Sequence, residues 1–213
     1  YSPKSLAPEI ANQINFGSYY QTKKNKSWSF IFHYDVYFNL VQDKIVSIPT
    51  KNLFIWSVQN YGLVQILGYE NVIQLSKLIN KNTHADIRCT YSFQQALDIT
   101  DKKSSTFGHQ IPYTPSHTAN IDLMFSSSFL SFGILNAFIS DRYVLGENIP
   151  SNVVDAFYQM DIMLSKSFAL KRKKQSFKLS FSIKNLLDES YAYVRYFIMP
   201  GRNYLITLNY DLN

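Results

Sequence analysis

The sequence predicts an all-β chain, an antiparallel up-and-down transmembrane β-barrel segment of nine or ten strands. Three observations predict it. Aromatic and aliphatic residues alternate with polar ones in run after run, most plainly from Phe177 to Ile183 and from Tyr204 to Leu212. That is the period of a strand with one face in an apolar medium and the other in a polar one. Many runs reach about 10 residues, enough to cross a bilayer at a tilt. The connections between them alternate strictly between short and long, as they do in outer-membrane barrels with short turns at one rim and long loops at the other.

Composition narrows the class. The 213 residues hold 16 Phe and 16 Tyr against only 7 Gly and 7 Pro, so the chain is rich in strand formers and unlike a disordered tail. No apolar run approaches the roughly 18 residues of a membrane-spanning helix. Much of the net charge of +6 sits in two clusters, Lys23, Lys24, Lys26 and Lys171, Arg172, Lys173, Lys174, each between two alternating segments and read as a solvated turn. Cys89 is the single cysteine and falls on the apolar face of its segment, as a buried or lipid-facing thiol does. With no initiating Met and no signal sequence, the chain reads as a mature product or a fragment.

After an irregular start with Pro3 and Pro8, the first strand spans about residues 11–21, with Ile14, Phe16 and Tyr20 on one face. Past a turn at 22–27, Trp28, Phe30, Phe32, Tyr34, Val36 and Phe38 oppose Ser29, His33, Asp35 and Asn39. Five aromatics on one face suit lipid better than a sandwich core. A long connection is expected over 41–60, containing Pro49 and Trp56, or else a tenth strand there. Tyr61 to Leu78 reads as a long strand, with Gly62 and Gly68 marking a bulge or kink.

Beyond a turn at 79–82, Ala85, Ile87, Cys89, Tyr91 and Phe93 alternate with His84, Asp86, Arg88, Thr90 and Ser92, a polar face fit for a wet lumen. A long loop follows over 96–116. Ala119, Ile121, Leu123 and Phe125 make the next strand, and a tight turn at 126–128 leads to Leu130, Phe132, Ile134 and Phe138. A third long loop occupies 142–155. Tyr158, Met160, Ile162, Leu164 and Phe168 then form an apolar face, the basic turn 169–175 follows, and the loop 188–203 separates the last two strands. Nine strands left open would expose unpaired edges to lipid, so either a small barrel closes on itself or earlier strands are missing.

Short motifs run through the whole chain in order: Leu6-Ala-Pro-Glu-Ile10, Asp43-Lys-Ile-Val46 with Pro49-Thr-Lys-Asn52, Asn60-Tyr-Gly62 with Gly68, Gln110-Ile-Pro-Tyr113, Asn185-Leu-Leu-Asp188 with Tyr191, and Met199-Pro-Gly-Arg-Asn203. In these the chain resembles the TonB-dependent outer-membrane receptors, in the form common in Bacteroidetes. The resemblance implies that residues 1–213 are the C-terminal part of a 22-stranded barrel domain. The plug and N-terminal strands are then absent, as is the segment that engages the TonB complex. The implied location is the outer membrane of a Gram-negative bacterium, with its lipid around the barrel. The implied activity is TonB-dependent uptake of a scarce nutrient such as a ferric siderophore, haem or cobalamin; a passive porin or structural barrel is the alternative, and a soluble β-sandwich a third. The chain ends on Leu212 and Asn213 where the family ends on an aromatic.

No catalytic constellation stands out. His33, His84, His109 and His117 lack metal-ligand spacing, and His84 with Asp86 reads as a lumenal hydrogen-bond pair. Met199-Pro-Gly-Arg-Asn203 has one Gly before a strand and so reads as a turn rather than a phosphate loop. The basic residues gather in turns instead of among the aromatics, which argues against nucleic acid as a partner. Neither a cofactor nor an enzymatic activity is expected. Ligand contacts belong on the long-loop side, where Trp56, Tyr113, Arg142, Tyr193, Arg195, Tyr196 and Arg202 suit an anionic, aromatic-compatible ligand such as a metal chelate. The competing reading makes the aromatics membrane-interface anchors and pairs the arginines with Asp188 or Glu189.

Overall fold

Period-two alternation commits these segments to strands, and a computed structural model, which describes residues 6–22, 27–50, 55–170 and 175–211, shows how they pair. In chain order the strands are β1 (Ile10–Gln21), β2 (Trp28–Pro49), β3 (Trp56–Asn80), β4 (Thr83–Asp98), β5 (His117–Ser126), β6 (Ser131–Ile139), β7 (Arg142–Tyr143), β8 (Val153–Val154), β9 (Phe157–Leu170), β10 (Gln175–Lys184), β11 (Ala192–Val194), β12 (Phe197–Ile198) and β13 (Asn203–Asp211). Nine of them form one antiparallel sheet in the order β1-β2-β3-β4-β5-β6-β9-β10-β13, while β7-β8 and β11-β12 are small ribbons within the long loops.

Register carries the two-faced pattern across the sheet. Phe30, Leu75, Ile87, Leu123, Ile134, Ile162, Ile183 and Tyr204 are cross-strand neighbours in succession and make one apolar row. On the other face His84, Ser126, Ser131, Ser165, Ser180 and Thr207 make a polar row. A slip of one residue would move either row to the wrong face, so burial against lipid on one side fixes the pairing. Ile14 is 73% exposed, Ile206 71% and Leu208 66%. An apolar surface of this extent is not sustained in water; it is the lipid-facing band of a transmembrane barrel wall. Cys89 lies on this face, opposite Ile73 and Ile121.

The region expected as a long connection over 41–60 is largely strand. β2 continues to Pro49 and pairs with β3 from Trp56 onward, so the hairpin extends well past the rest of the sheet. At 25 residues β3 rises roughly 80 Å, against about 10 residues for a bilayer crossing. Among the described residues no tenth strand of the sheet is formed. Asp43, at φ 54, stands opposite Gly62, and the alternation changes phase there. Tyr61 shares a core cluster with Val64 and Ile66, together with Val46, Ile48, Ala96 and Ile111. A phase change of this kind disguises a strand as a loop when it is read by periodicity.

β4 also runs past the expected loop start, to Asp98. Its upper end pairs with its own loop: Leu97 bridges Gln110, and the Ile111 N–H donates to the Ala96 carbonyl. Buried Gln110 accepts the Ala96 N–H and donates to the carbonyls of Gln94 and Thr114. This folds the loop onto the inner face, seats Ile111 against fully buried Val64 and Ala96, and carries Tyr113 toward Trp56. The lysine clusters at 23–26 and 171–174, and the terminal pair Leu212 and Asn213, lie outside the described residues.

Gly68 is needed for a close approach. It stands opposite Tyr37, whose ring lies where a Cβ on residue 68 would be, and the Tyr37 hydroxyl donates to Gln94 across the sheet at 3.1 Å. We predict that Gly68→Ala displaces the ring and costs about 1–3 kcal/mol, the range for overpacking. A lowered temperature for loss of heat-modifiable gel mobility in the refolded protein would register it, and an unchanged temperature would refute it.

Candidate functional site

The long-loop end gathers aromatic rings and buried polar groups around two recesses. The larger, of about 580 Å³, is lined by Lys44, Val46, Trp56, Ile111, Tyr113, Arg142 and Tyr193 among others. The smaller, of about 280 Å³, is apolar and lined by Trp56, Tyr193, Val194, Phe197 and Met199. Trp56 and Tyr193 line both.

The Trp56 and Tyr113 rings lie 5.1 Å apart. Tyr113 adopts φ 55, and its N–H donates to the Tyr143 carbonyl at 2.7 Å, which turns the side chain inward. Burial pushes its phenol up, partly offset by the Arg195 backbone N–H that donates to the hydroxyl. Tyr193 meets Phe157 edge-on at 5.2 Å and Tyr191 at 5.8 Å.

Arg142 is 4% exposed and its guanidinium is spent on the backbone. It donates to the carbonyls of Ala192 (2.6 Å), Tyr193 (2.9 and 3.3 Å) and Ser140 (3.4 Å), and lies 5.7 Å over the Phe157 ring. Burial pulls its pKa down from the ordinary value. Arg142 thus ties β7 to β11, holding two loops together behind the recess.

The loop between β10 and β13 has its own clamp. Asn185, 1% exposed at φ 51, donates through Nδ2 to the carbonyls of Glu189 and Pro200 and accepts the Glu189 N–H. Its own N–H donates to Asp161, which also pairs with Lys184 at 2.8 Å. Asp188 accepts the Arg202 N–H at 2.7 Å, closing Asn185-Leu-Leu-Asp188 onto Met199-Pro-Gly-Arg-Asn203. These two motifs form one structural unit.

Four of the seven sequence-predicted site residues therefore converge: Trp56, Tyr113, Arg142 and Tyr193. The other three do not line either recess. The Arg195 guanidinium lies 5.2 Å over Tyr196, which is 58% exposed in the β11-β12 turn, and Arg202 is exposed at the foot of β13. The Asp188 carboxylate takes a backbone N–H of Arg202 rather than its guanidinium. Lys44, Ile111, Val194 and Met199 were missed. Ile111 stood within a noted motif, but only the inward fold of its loop places it here. Lys44 lines the larger recess while paired with Glu9 at 2.9 Å. Among the described residues no three His, Cys, Asp or Glu side chains gather to hold a metal. His84 and Asp86 share the inner face as expected, but at 3.7 Å they stand beyond hydrogen-bond distance. The arrangement offers stacking surfaces, the two phenols of Tyr113 and Tyr193 and the ammonium of Lys44, groups suited to binding.

A family model described as TonB dependent receptor-like, beta-barrel matches residues 1–186. No curated protein matches by sequence. Among solved structures, the unliganded ferric citrate transporter FecA superposes with a TM-score of 0.70 at 15% identity, covering 95% of this chain and 31% of that one. The ferric-catecholate import receptor Fiu from E. coli K12 gives 0.65 at 19%, covering 95% and 28%. The copper transporter OprC gives 0.62 at 17%, covering 95% and 31%. Identities this low establish shared fold alone, and the chain spans about three-tenths of the length of each of these proteins.

Proposed function

This chain belongs to the TonB-dependent receptor β-barrel family, and from that premise we propose that it forms the C-terminal wall of an outer-membrane importer for a scarce nutrient. The family is one of outer-membrane transport receptors in Gram-negative bacteria. The observation that carries the reading to this chain is the aromatic recess at the long-loop end, where Trp56, Tyr113 and Tyr193 meet on the inner side of a lipid-facing wall. Stacking surfaces beside a cation suit an aromatic-compatible metal chelate, and ferric siderophores, haem and cobalamin are the candidates. The edge strands β1 and β13 pair with strands outside this chain in a 22-stranded barrel. Energy comes through TonB contacts made outside residues 1–213.

The test is uptake of radiolabelled ferric chelates, haem and cobalamin by cells expressing the full-length protein, with and without TonB. Accumulation of one ligand that requires TonB supports the proposal. Ligand-independent conductance in planar bilayers, unaffected by TonB, would establish the passive porin instead. Within the uptake assay, Trp56→Ala removes one of the two rings shared by both recesses. We predict a roughly 5- to 150-fold weaker half-saturation for the transported ligand, from about 1–3 kcal/mol of lost stacking, with surface expression unchanged. Unaltered uptake would remove Trp56 from the site.

A further inference from the structure

The outward face of the membrane-crossing strands is almost without charge. Following the register from β1 to β13, Lys77 and Lys166 are the two permanently charged side chains on that face among the described residues. Lys77 shares the face with Trp28, its cross-strand partner, and Lys166 with Leu179. Both stand at the short-turn end and none at the opposite end. Each ammonium lies over an aromatic ring: Lys77 over Trp28 at 4.8 Å, and Lys166 over Phe129 at 3.9 Å and Phe168 at 4.9 Å. Trp28 is 48% exposed and Phe129 61%, so these rings stand at the surface beside the lysines. Neither lysine pairs with a carboxylate among the described residues.

We propose that Lys77 with Trp28, and Lys166 with Phe129 and Phe168, hold the phosphates of anionic phospholipids in the leaflet at the short-turn rim. An outward charge near the bilayer midplane is strongly destabilising, whereas at the interface the cost falls nearly to zero. Two cations at one rim, without acids between them, therefore mark the level of the headgroups and the sign of the preferred lipid. The rings fix each ammonium at headgroup depth while their faces lie along the acyl chains. The surrounding sequence adds to the same sign, since Lys23, Lys24, Lys26, Lys81 and the run Lys171 to Lys174 all fall between strands joined at this end, with no acid among them. This inference rests on the membrane-barrel reading above.

The full-length protein in non-ionic detergent is titrated with phosphatidylglycerol and with phosphatidylcholine of the same acyl chains, and bound lipid is counted by native mass spectrometry. The proposal expects phosphatidylglycerol to bind several-fold tighter. Lys77→Gln and Lys166→Gln each reduce that binding about fivefold, the factor one basic side chain near an anionic surface contributes, while phosphatidylcholine is unmoved and Lys77→Arg retains the preference. Equal retention of the two lipids by the unaltered protein overturns the proposal and leaves the barrel intact, whereas retention of neither overturns the membrane reading as well. Displacement of phosphatidylglycerol by millimolar inorganic phosphate reassigns the site to free phosphate and equally refutes it.

Discussion

Replacing Arg142 by alanine is expected to cost about 3–5 kcal/mol and to release the loop carrying Tyr193 from the loop carrying Tyr143. The carbonyls of Ser140, Ala192 and Tyr193 all accept from this one guanidinium, which is almost fully buried. Charge-assisted hydrogen bonds contribute about 1.5–3 kcal/mol each when measured by deletion, and non-additivity keeps the total below their sum. Arg142→Lys should recover little, because one ammonium lacks the planar fork that reaches two loops at once. Hydrogen exchange of the amides at 192–194 and 142–144 in the refolded full-length protein reads the change directly. Exchange that stays slow in Arg142→Ala would show that the two loops are held by something else.

Asn185→Ala is the second large effect, at about 3 kcal/mol. Three hydrogen bonds made by the side chain are lost at about 1 kcal/mol each. The residue also sits at φ 51, a left-handed conformation that Asn tolerates better than Ala. A pair of variants separates the two causes. Asn185→Gly relieves the backbone and loses the bonds, so it should remain destabilised; Asn185→Asp keeps the acceptor for the Glu189 N–H and loses both donated bonds. The expected result is proteolytic cleavage within 186–202 in the alanine and glycine variants and partial protection in the aspartate variant. Equal resistance of all three to protease would mean that Pro200 and Glu189 are anchored without Asn185.

The wall of the barrel was legible because lipid enforces its pattern one residue at a time. From Phe177 to Ile183 every outward position is apolar, and the observed register puts each against an apolar neighbour on β13 and, except for Leu179 opposite Lys166, on β9. Legibility ended where the membrane ends. The segment 41–60 was misread because the phase of alternation changes opposite Gly62, and β4 was cut short because its last residues pair with their own loop instead of with β5. The aromatic recess was half legible: Trp56, Tyr113, Arg142 and Tyr193 stood in loops rich in rings and arginine. The partners of the arginines were not, since Arg142 serves the backbone and Arg195 stacks on Tyr196. Such assignments depend on loop closure across 50 residues of sequence, as between Arg142 and Ala192, and no local pattern encodes them.

The phase change in the long hairpin also works as a draught mark. Below Gly62 the outward side of β3 carries Leu67, Tyr69, Ile73 and Leu75, and its inner side is greasy at Val64 and Ile66, where Ile111 of the inward-folded loop packs; above it, Tyr61, Val46 and Ile48 turn their greasy side inward, as a water-bathed hairpin does. Lys77 marks the opposite shore, and the two positions lie 15 residues apart on one strand. At a rise of about 3.3 Å per residue and a tilt of about 40°, that interval spans roughly 38 Å along the membrane normal. The figure falls between a hydrocarbon core of about 30 Å and a full bilayer of about 40–45 Å. A single strand thus carries the depth at which the whole wall floats.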